Sequence, residues 1–137
     1  MQLTPLIAVH MSCAIAATAI GPIALWARRS GSAARPGLHR TAGYAFVLLM
    51  VATAITALFI RDHKLPNWQG FTPIHLLIPL TLTGLVYAFW SLSRGRIDQH
   101  RHTMRRLYFG ACVTAGIFTL VPGRLIGDWV WQQVLVL

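Results

Sequence analysis

Acidic side chains are almost absent from this sequence. It contains no glutamate, and its three aspartates, Asp62, Asp98 and Asp128, lie at or beyond the ends of long apolar blocks. A hydrolase with paired carboxylates needs acidic groups that this chain does not have, and so does an acidic proton relay inside a membrane. Both classes of function are therefore excluded.

Cysteine is rarer still, with two residues. Cys13 and Cys112 stand within apolar blocks, and neither belongs to a Cys-x-x-Cys or a Cys-x-x-Cys-His motif. Covalently attached haem and thiolate zinc sites need such spacings, so both are disfavoured. We interpret the two cysteines as small residues at which helices pack.

Charge is scarce as well, since 11% of the residues are charged and 55% are hydrophobic, whereas a soluble domain carries about a quarter charged residues. The apolar residues form four blocks, 3–26, 43–60, 71–92 and 107–121. A membrane-spanning helix needs roughly 20 residues, which the fourth block reaches only with its basic lead-in or the turn after it. The first block is too long for a signal-peptide core and has no basic residues before it, so we expect a helix there too.

These blocks predict an all-α integral membrane protein, a four-helix up-down-up-down bundle that forms a single domain over residues 1–137. The predicted helices are 4–27, 39–61, 72–93 and 99–121, with a short C-terminal interfacial helix at 124–135. Trp129 and Trp131 would anchor this last helix at the membrane surface.

Basic residues are distributed unevenly between the connections. Nine of the twelve lie between the first two blocks or between the last two: Arg28, Arg29, Arg35, Arg40, Arg94, Arg96, Arg101, Arg105 and Arg106. By the positive-inside rule, these two connections face the cytoplasm. The N terminus is therefore predicted to lie outside, in a bacterial inner membrane. We expect the positive charge to contact membrane lipid and not nucleic acid.

Four of the six histidines stand one near the start of each predicted helix: His10, His39, His75 and His100. At about 1.5 Å per residue, His10 and His75 lie about 27 and 28 Å from the inner helix ends. His39 and His100 each lie about 33 Å from the outer ends. Because alternate helices of such a bundle face each other diagonally, each of these two pairs is predicted to meet at one level.

Two imidazoles on facing helices hold haem b without covalent attachment. We therefore predict an outer haem b ligated by His10 and His75. A second, inner haem would be ligated by His39 and His100. Arg124 lies near the outer layer and is predicted to hold a haem propionate or an anionic substrate, unless it pairs with Asp128.

Two local features accompany the proposed ligands. The row Cys13, Ala17 and Gly21 follows His10 at helical spacing, and such small residues either leave room for a macrocycle or let helices pack closely. Pro79 removes the usual partner of the carbonyl of His75, which predicts an opened helix at that ligand or an ordinary kink.

Other roles for the histidines stay open. His39 and His100 each precede an arginine near the inner interface, so contact with lipid phosphate competes with ligation. His102 follows His100 by two residues and lies on roughly the opposite helix face, so only one of them can point inward. His63, in the outer loop, is expected to contact headgroups.

Four strings in the sequence carry a resemblance to a known family. They are HRTAG from His39, FTPIH from Phe71, RGRIDQHRHTM from Arg94 and FTLVPGR from Phe118. In combination they resemble a family of small bacterial membrane proteins known only as a domain of unknown function. The resemblance covers nearly the whole chain and implies a four-helix membrane fold but no activity. It points to these motif positions: His10, His39, His75, His100 and Arg124.

A looser resemblance, in histidine placement and not in residue strings, is to the diheme b-type membrane cytochromes. That class passes electrons between ascorbate, quinone or superoxide on one side of a membrane and acceptors on the other. The inner histidine pair departs from it because the pair sits shallower in the membrane.

The resulting prediction is an electron-transfer membrane protein, a candidate oxidoreductase, that connects a quinone or small reductant with the opposite membrane face. One alternative is a transition-metal site or transporter built on the same histidines, since imidazole suits Zn, Cu and Ni. Another is a non-catalytic membrane subunit whose basic loops hold anionic lipid. A membrane-protein partner or a homo-oligomer is compatible with each of these functions.

Overall fold

The structure, a computed structural model, describes residues 3–27, 35–61 and 68–135. Over these residues the regular structure is helical, apart from an isolated bridge between Trp68 and Phe71. In chain order the elements are α1 (Pro5–Trp26), α2 (Pro36–Phe59), a 3₁₀ turn (Pro73–Leu76), α3 (Leu77–Ser93), α4 (Ile97–Leu107), a π-helical segment (Tyr108–Val113), α5 (Thr114–Thr119) and α6 (Leu125–Leu135). The predicted all-α class is therefore confirmed for the described residues.

Within the described part of the chain, three helices are long and apolar enough to cross a membrane: α1, α2 and the helical run Pro73–Ser93. The fourth predicted span also has a helical counterpart, because α4, the π-helical segment and α5 follow one another without a break. It differs from the other three because its first part, α4, is rich in arginine and because the π-helical segment divides it. The fourth membrane crossing thus stays a prediction.

Prolines and glycines set the helix ends. α1 begins with Pro5 at its first position, and the side chain of Thr4 accepts a hydrogen bond from the backbone N–H of Ile7 at 3.3 Å. α2 was predicted to begin at His39, but it begins three residues earlier, at Pro36. Proline is favoured in the first turn of a helix. Gly95 takes a positive φ of 70° just after α3, a conformation that favours glycine.

Successive long helices run antiparallel and pack as two pairs. His10 near the start of α1 contacts Thr53 near the end of α2, and His39 at the start of α2 contacts Ala24 at the end of α1. In the second pair, His100 near the start of α4 contacts Ala88 near the end of α3. The pairs meet where α2 packs on α3 and where α1 packs on the π-helical segment. The core between them consists of Ala17, Phe46, Met50, Leu85, Leu107, Ala111 and Cys112.

One contact between the pairs follows directly from a proline. Pro22 lies inside α1 and has no N–H, so the carbonyl of Thr18 loses its usual helical partner. The hydroxyl of Tyr108, the first residue of the π-helical segment, donates to that carbonyl at 3.2 Å. Gly21 makes room for the tyrosine ring, because a Cβ there would lie 2.5 Å from Cδ2 of Tyr108. The proline, the glycine and the tyrosine together dock the fourth helical run on α1.

Replacing Gly21 with valine is therefore expected to destabilise the fold by about 1–3 kcal/mol, the usual cost of overpacking. The added side chain displaces the Tyr108 ring and leaves the Thr18 carbonyl without its donor. Thermal unfolding of the detergent-purified protein measures the effect. Gly43→Val is the matched control, since a Cβ at Gly43 meets no atom within 4 Å. Equal unfolding temperatures for the two variants would contradict this docking.

Candidate functional site

A cavity of about 600 Å³ lies at the end of the molecule where α1 begins and α2 ends. Its volume falls within the range of roughly 300–1,000 Å³ typical of ligand and cofactor sites. Helices α1, α2, α3 and α5 contribute to its wall, as do the 3₁₀ turn, the π-helical segment and the start of α6. Small residues form much of the wall: Ala14, Ala17, Ala19, Ala54, Ala57, Ala111, Ala115 and Gly116. His10, His75 and Arg124 also line it, so the structure brings the three predicted outer-site residues to one cavity.

His10 is half-buried and is held by α2 through one ring nitrogen. Its Nδ1 lies 3.1 Å from the carbonyl oxygen of Thr53 and 3.0 Å from Oγ1 of Thr56. A carbonyl oxygen only accepts, and the Thr56 hydroxyl itself donates to the carbonyl of Ala52 at 2.8 Å. Nδ1 of His10 therefore carries the hydrogen and donates it to Thr53 and Thr56. Nε2 keeps its lone pair and has no hydrogen-bond partner among the described residues.

This arrangement is the one that metal-binding histidines generally use. A ligating imidazole commonly donates its second N–H to a carboxylate or a backbone carbonyl, which fixes the tautomer and the ring orientation. His10 has such a bond to Thr53 and a lone pair at Nε2, on a side chain that lines the cavity. It is therefore prepared to act as a ligand to a metal in this cavity.

His75 lines the same cavity, but both of its ring nitrogens are engaged. Nε2 lies 3.1 Å from the carbonyl oxygen of Ile60, so it must carry a hydrogen and donate it. Nδ1 accepts from the backbone N–H of Thr72 at 3.1 Å, as in a capping box. Residues Pro73–Leu76 form a 3₁₀ turn before α3 begins, and Pro79 lies in the first turn of α3. In this conformation neither nitrogen of His75 is available to a metal.

The connection before His75 is held by aromatic and cationic contacts. The ring of Phe71 meets the His75 ring edge-on, with 5.2 Å between the ring centroids. The guanidinium of Arg61 lies 3.8 Å from the centroid of the Phe71 ring and donates to the carbonyl of Gln69 at 3.4 Å. These contacts fasten the end of α2 to the start of the 3₁₀ turn beside the cavity.

His39 and His100 do not line the cavity. Nδ1 of His39 lies 2.7 Å from the carbonyl oxygen of Ala24, and Nδ1 of His100 lies 3.0 Å from that of Ala88. Each ring therefore donates to the helix that precedes its own and ties one antiparallel pair together. The pairing of His39 with His100 at an inner haem stays a prediction, as does contact with lipid phosphate.

The remaining predicted residues take other places. His102 is exposed on α4, whereas His100 is half-buried, which fits the opposite faces expected of them. Asp128 accepts a hydrogen bond at 2.6 Å from the backbone N–H of Gly123, in the turn before α6. His63 and its expected headgroup contact lie outside the described residues. Arg28 and Arg29, from the first basic connection, lie outside them as well.

The two cysteines occur as free thiols in separate places. Cys112 is buried in the wall of the cavity, where its Sγ lies 3.4 Å from Sδ of Met50. Cys13 is half-buried on α1. Across the described residues, no three His, Cys, Asp or Glu side chains come close enough together to hold a metal ion. No closed multidentate metal centre is therefore present in this part of the chain.

Sequence reasoning missed the groups that orient the histidines. Thr53 and Thr56 stand three residues apart inside an apolar block, and this spacing is a signal that could have marked one polar helix face. The carbonyls of Ile60, Ala24 and Ala88 have no sequence signature, since every residue carries one. Those partners could be identified only from the structure.

Comparison with known proteins agrees with the membrane character of the helices. No curated protein and no solved structure matches the chain. The family model described as "Predicted membrane protein (DUF2306)" matches residues 7–136, a range that contains every residue lining the cavity. The predicted resemblance to a membrane family of unknown function is thereby confirmed, whereas the resemblance to diheme cytochromes receives no support. The chain belongs to the DUF2306 family of predicted membrane proteins.

Proposed function

We propose that this protein is a membrane b-type cytochrome that binds haem b in the cavity, with His10 as an axial ligand. One observation carries the proposal: His10 keeps an unengaged Nε2 on the wall of an apolar cavity of about 600 Å³. A ring nitrogen without a hydrogen-bond partner is costly in an apolar setting, so a position that keeps one argues for a ligand.

The surrounding residues have separate tasks in this proposal. Thr53 and Thr56 hold Nδ1–H of His10 and so fix the tautomer and the ring orientation. The alanines and Gly116 on the wall leave space for a flat macrocycle without steric conflict. Arg124, where the wall passes into α6, supplies positive charge for the propionate groups. Haem, when bound, supplies one-electron chemistry at a potential that its ligands and the apolar surroundings set.

The membrane arrangement belongs to the same proposal. The continuous run of α4, the π-helical segment and α5 is proposed as the fourth crossing of an up-down-up-down bundle. The N terminus would lie outside the bacterial inner membrane. The arginines near the ends of α3 and α4 would then face the cytoplasm and anionic lipid. Electrons would pass between a quinone or small reductant near the cavity and the opposite face.

We restrict the proposal to one haem. His39 and His100 are each bonded within their own helix pair, and neither belongs to the cavity that His10 and Arg124 line. The alternative of a transition-metal transporter has no specific observation in its favour. A non-catalytic membrane subunit would leave the unengaged nitrogen of His10 without a purpose.

The absorption spectrum of the purified protein tests the proposal. Protein expressed with sufficient haem supply is expected to show a Soret band and, after reduction with dithionite, an α-band of haem b. The pyridine haemochrome assay should give one haem per chain. Elemental analysis belongs in the same experiment: no Soret band, or stoichiometric metal without porphyrin, would refute the cytochrome.

A further inference from the structure

We propose that haem in the cavity receives a single imidazole from this protein, that of His10, and that its other axial position is open to a small exogenous ligand. This inference rests on the proposed function. It comes from the contrast between two histidines on one wall, since His10 has an unengaged nitrogen and His75 has none.

Ligation by His75 would break hydrogen bonds that its ring makes with Ile60 and Thr72 in this structure. Its Nε2 would have to give up the proton that it donates to the carbonyl of Ile60. Its Nδ1 would have to release the backbone N–H of Thr72, at the first turn of the 3₁₀ helix. Thr72 is 4% exposed, so water does not reach this N–H to replace the lost acceptor.

The position of His75 gives it a different task. Its ring joins the carbonyl of Ile60, directly after α2, to the N–H of Thr72, directly before the 3₁₀ turn. Phe71 packs against the His75 ring, and the guanidinium of Arg61 lies over the ring of Phe71. His75 thereby ties the end of α2 to the start of the 3₁₀ turn beside the cavity. It is a positioning residue in this arrangement and does not touch the haem iron.

The other soft ligands on the wall do not take the open position. Met50 and Cys112 are both buried and are directed at each other, with 3.4 Å between Sδ and Sγ. Met11 directly follows His10 on α1, so it cannot reach the opposite face of a macrocycle that His10 ligates. The rest of the wall consists mostly of apolar and small side chains, so the open position admits a small diatomic ligand.

The spin state and carbon monoxide binding of the haem-loaded, full-length protein test this inference. The wild-type ferric protein is expected to be high-spin by electron paramagnetic resonance, and the reduced protein is expected to bind carbon monoxide with a shifted Soret band. His75→Gln is expected to keep the same haem content, spin state and carbon monoxide spectrum, because glutamine can serve the capping box but not the iron. His10→Gln is expected to lose the haem.

Three results would overturn the inference, and they separate it from the proposed function. A low-spin wild type that rejects carbon monoxide and turns high-spin in His75→Gln would make His75 the second ligand, while the cytochrome itself stands. A wild type that takes up no haem refutes the cytochrome and the open position together. Without haem, ring ¹⁵N shifts of histidine-labelled protein are expected to show hydrogen on Nε2 of His75 and on Nδ1 of His10. An unprotonated Nε2 at His75 would also refute the inference.

Discussion

Replacing His10 with alanine is expected to lower the haem content per chain by about tenfold or more, since loss of groups that merely orient a ligand already costs 10–100-fold in metal affinity. His10 is the residue on the cavity wall whose imidazole nitrogen is prepared to bind iron. The ratio of Soret to protein absorbance in purified samples measures this loss.

Two further variants separate loss of the ligand from loss of the fold. His10→Asn keeps a side-chain N–H near the position of Nδ1, so it can still donate to the carbonyl of Thr53, but it offers no imidazole to iron. It is expected to lose haem while it unfolds close to the wild-type temperature. His102→Ala, at an exposed histidine on α4, is expected to keep its haem. If His10→Asn retained the wild-type haem content, His10 would not be the ligand.

The second large effect is expected from filling the cavity. Ala57 on α2 lines it, and a phenylalanine at this position would project a ring into the space assigned to the macrocycle. Haem affinity is expected to fall about tenfold or more, which corresponds to roughly 1.4 kcal/mol and lies within the usual cost of overpacking. Titration of the haem-free protein with haem, followed at the Soret band, gives the dissociation constants.

Leu58→Phe is the matched control for this experiment. Leu58 is the next residue on α2, is 41% exposed and does not line the cavity, so its replacement adds aromatic surface outside the site. It is expected to leave the dissociation constant unchanged. Equal affinities for Ala57→Phe and Leu58→Phe would show that haem binds elsewhere or not at all.

Much of the fold could be predicted because it follows from long apolar blocks in the sequence. Apolar blocks of membrane-spanning length become helices in a bilayer, where every backbone polar group needs an internal partner. The helix ends were less accurate, as at α2, whose start depends on the proline at position 36. The π-helical segment could not be foreseen, because no residue type marks the place where one extra residue enters a helical turn.

The candidate site was predictable in its location but not in its bonding. Counting residues along each helix brought His10 and His75 to one level, and both line the same cavity. The sequence did not distinguish between them, because their difference depends on whether Nδ1 or Nε2 carries the hydrogen. That choice follows from neighbouring atoms such as the N–H of Thr72 and the carbonyl of Ile60, which only the folded chain brings to the ring.

The hydrogen bonds from histidine rings to main-chain carbonyls affect which positions can vary within this family. The oxygens that hold His10, His39 and His100 belong to residues 53, 24 and 88, and they are present whichever side chain occupies those positions. Mutational drift there leaves the rings in place as long as the helices keep their register. Covariation between homologous sequences should therefore not couple these histidines to residues 53, 24 and 88, whereas it should couple His10 to Thr56, whose side-chain hydroxyl also holds the ring.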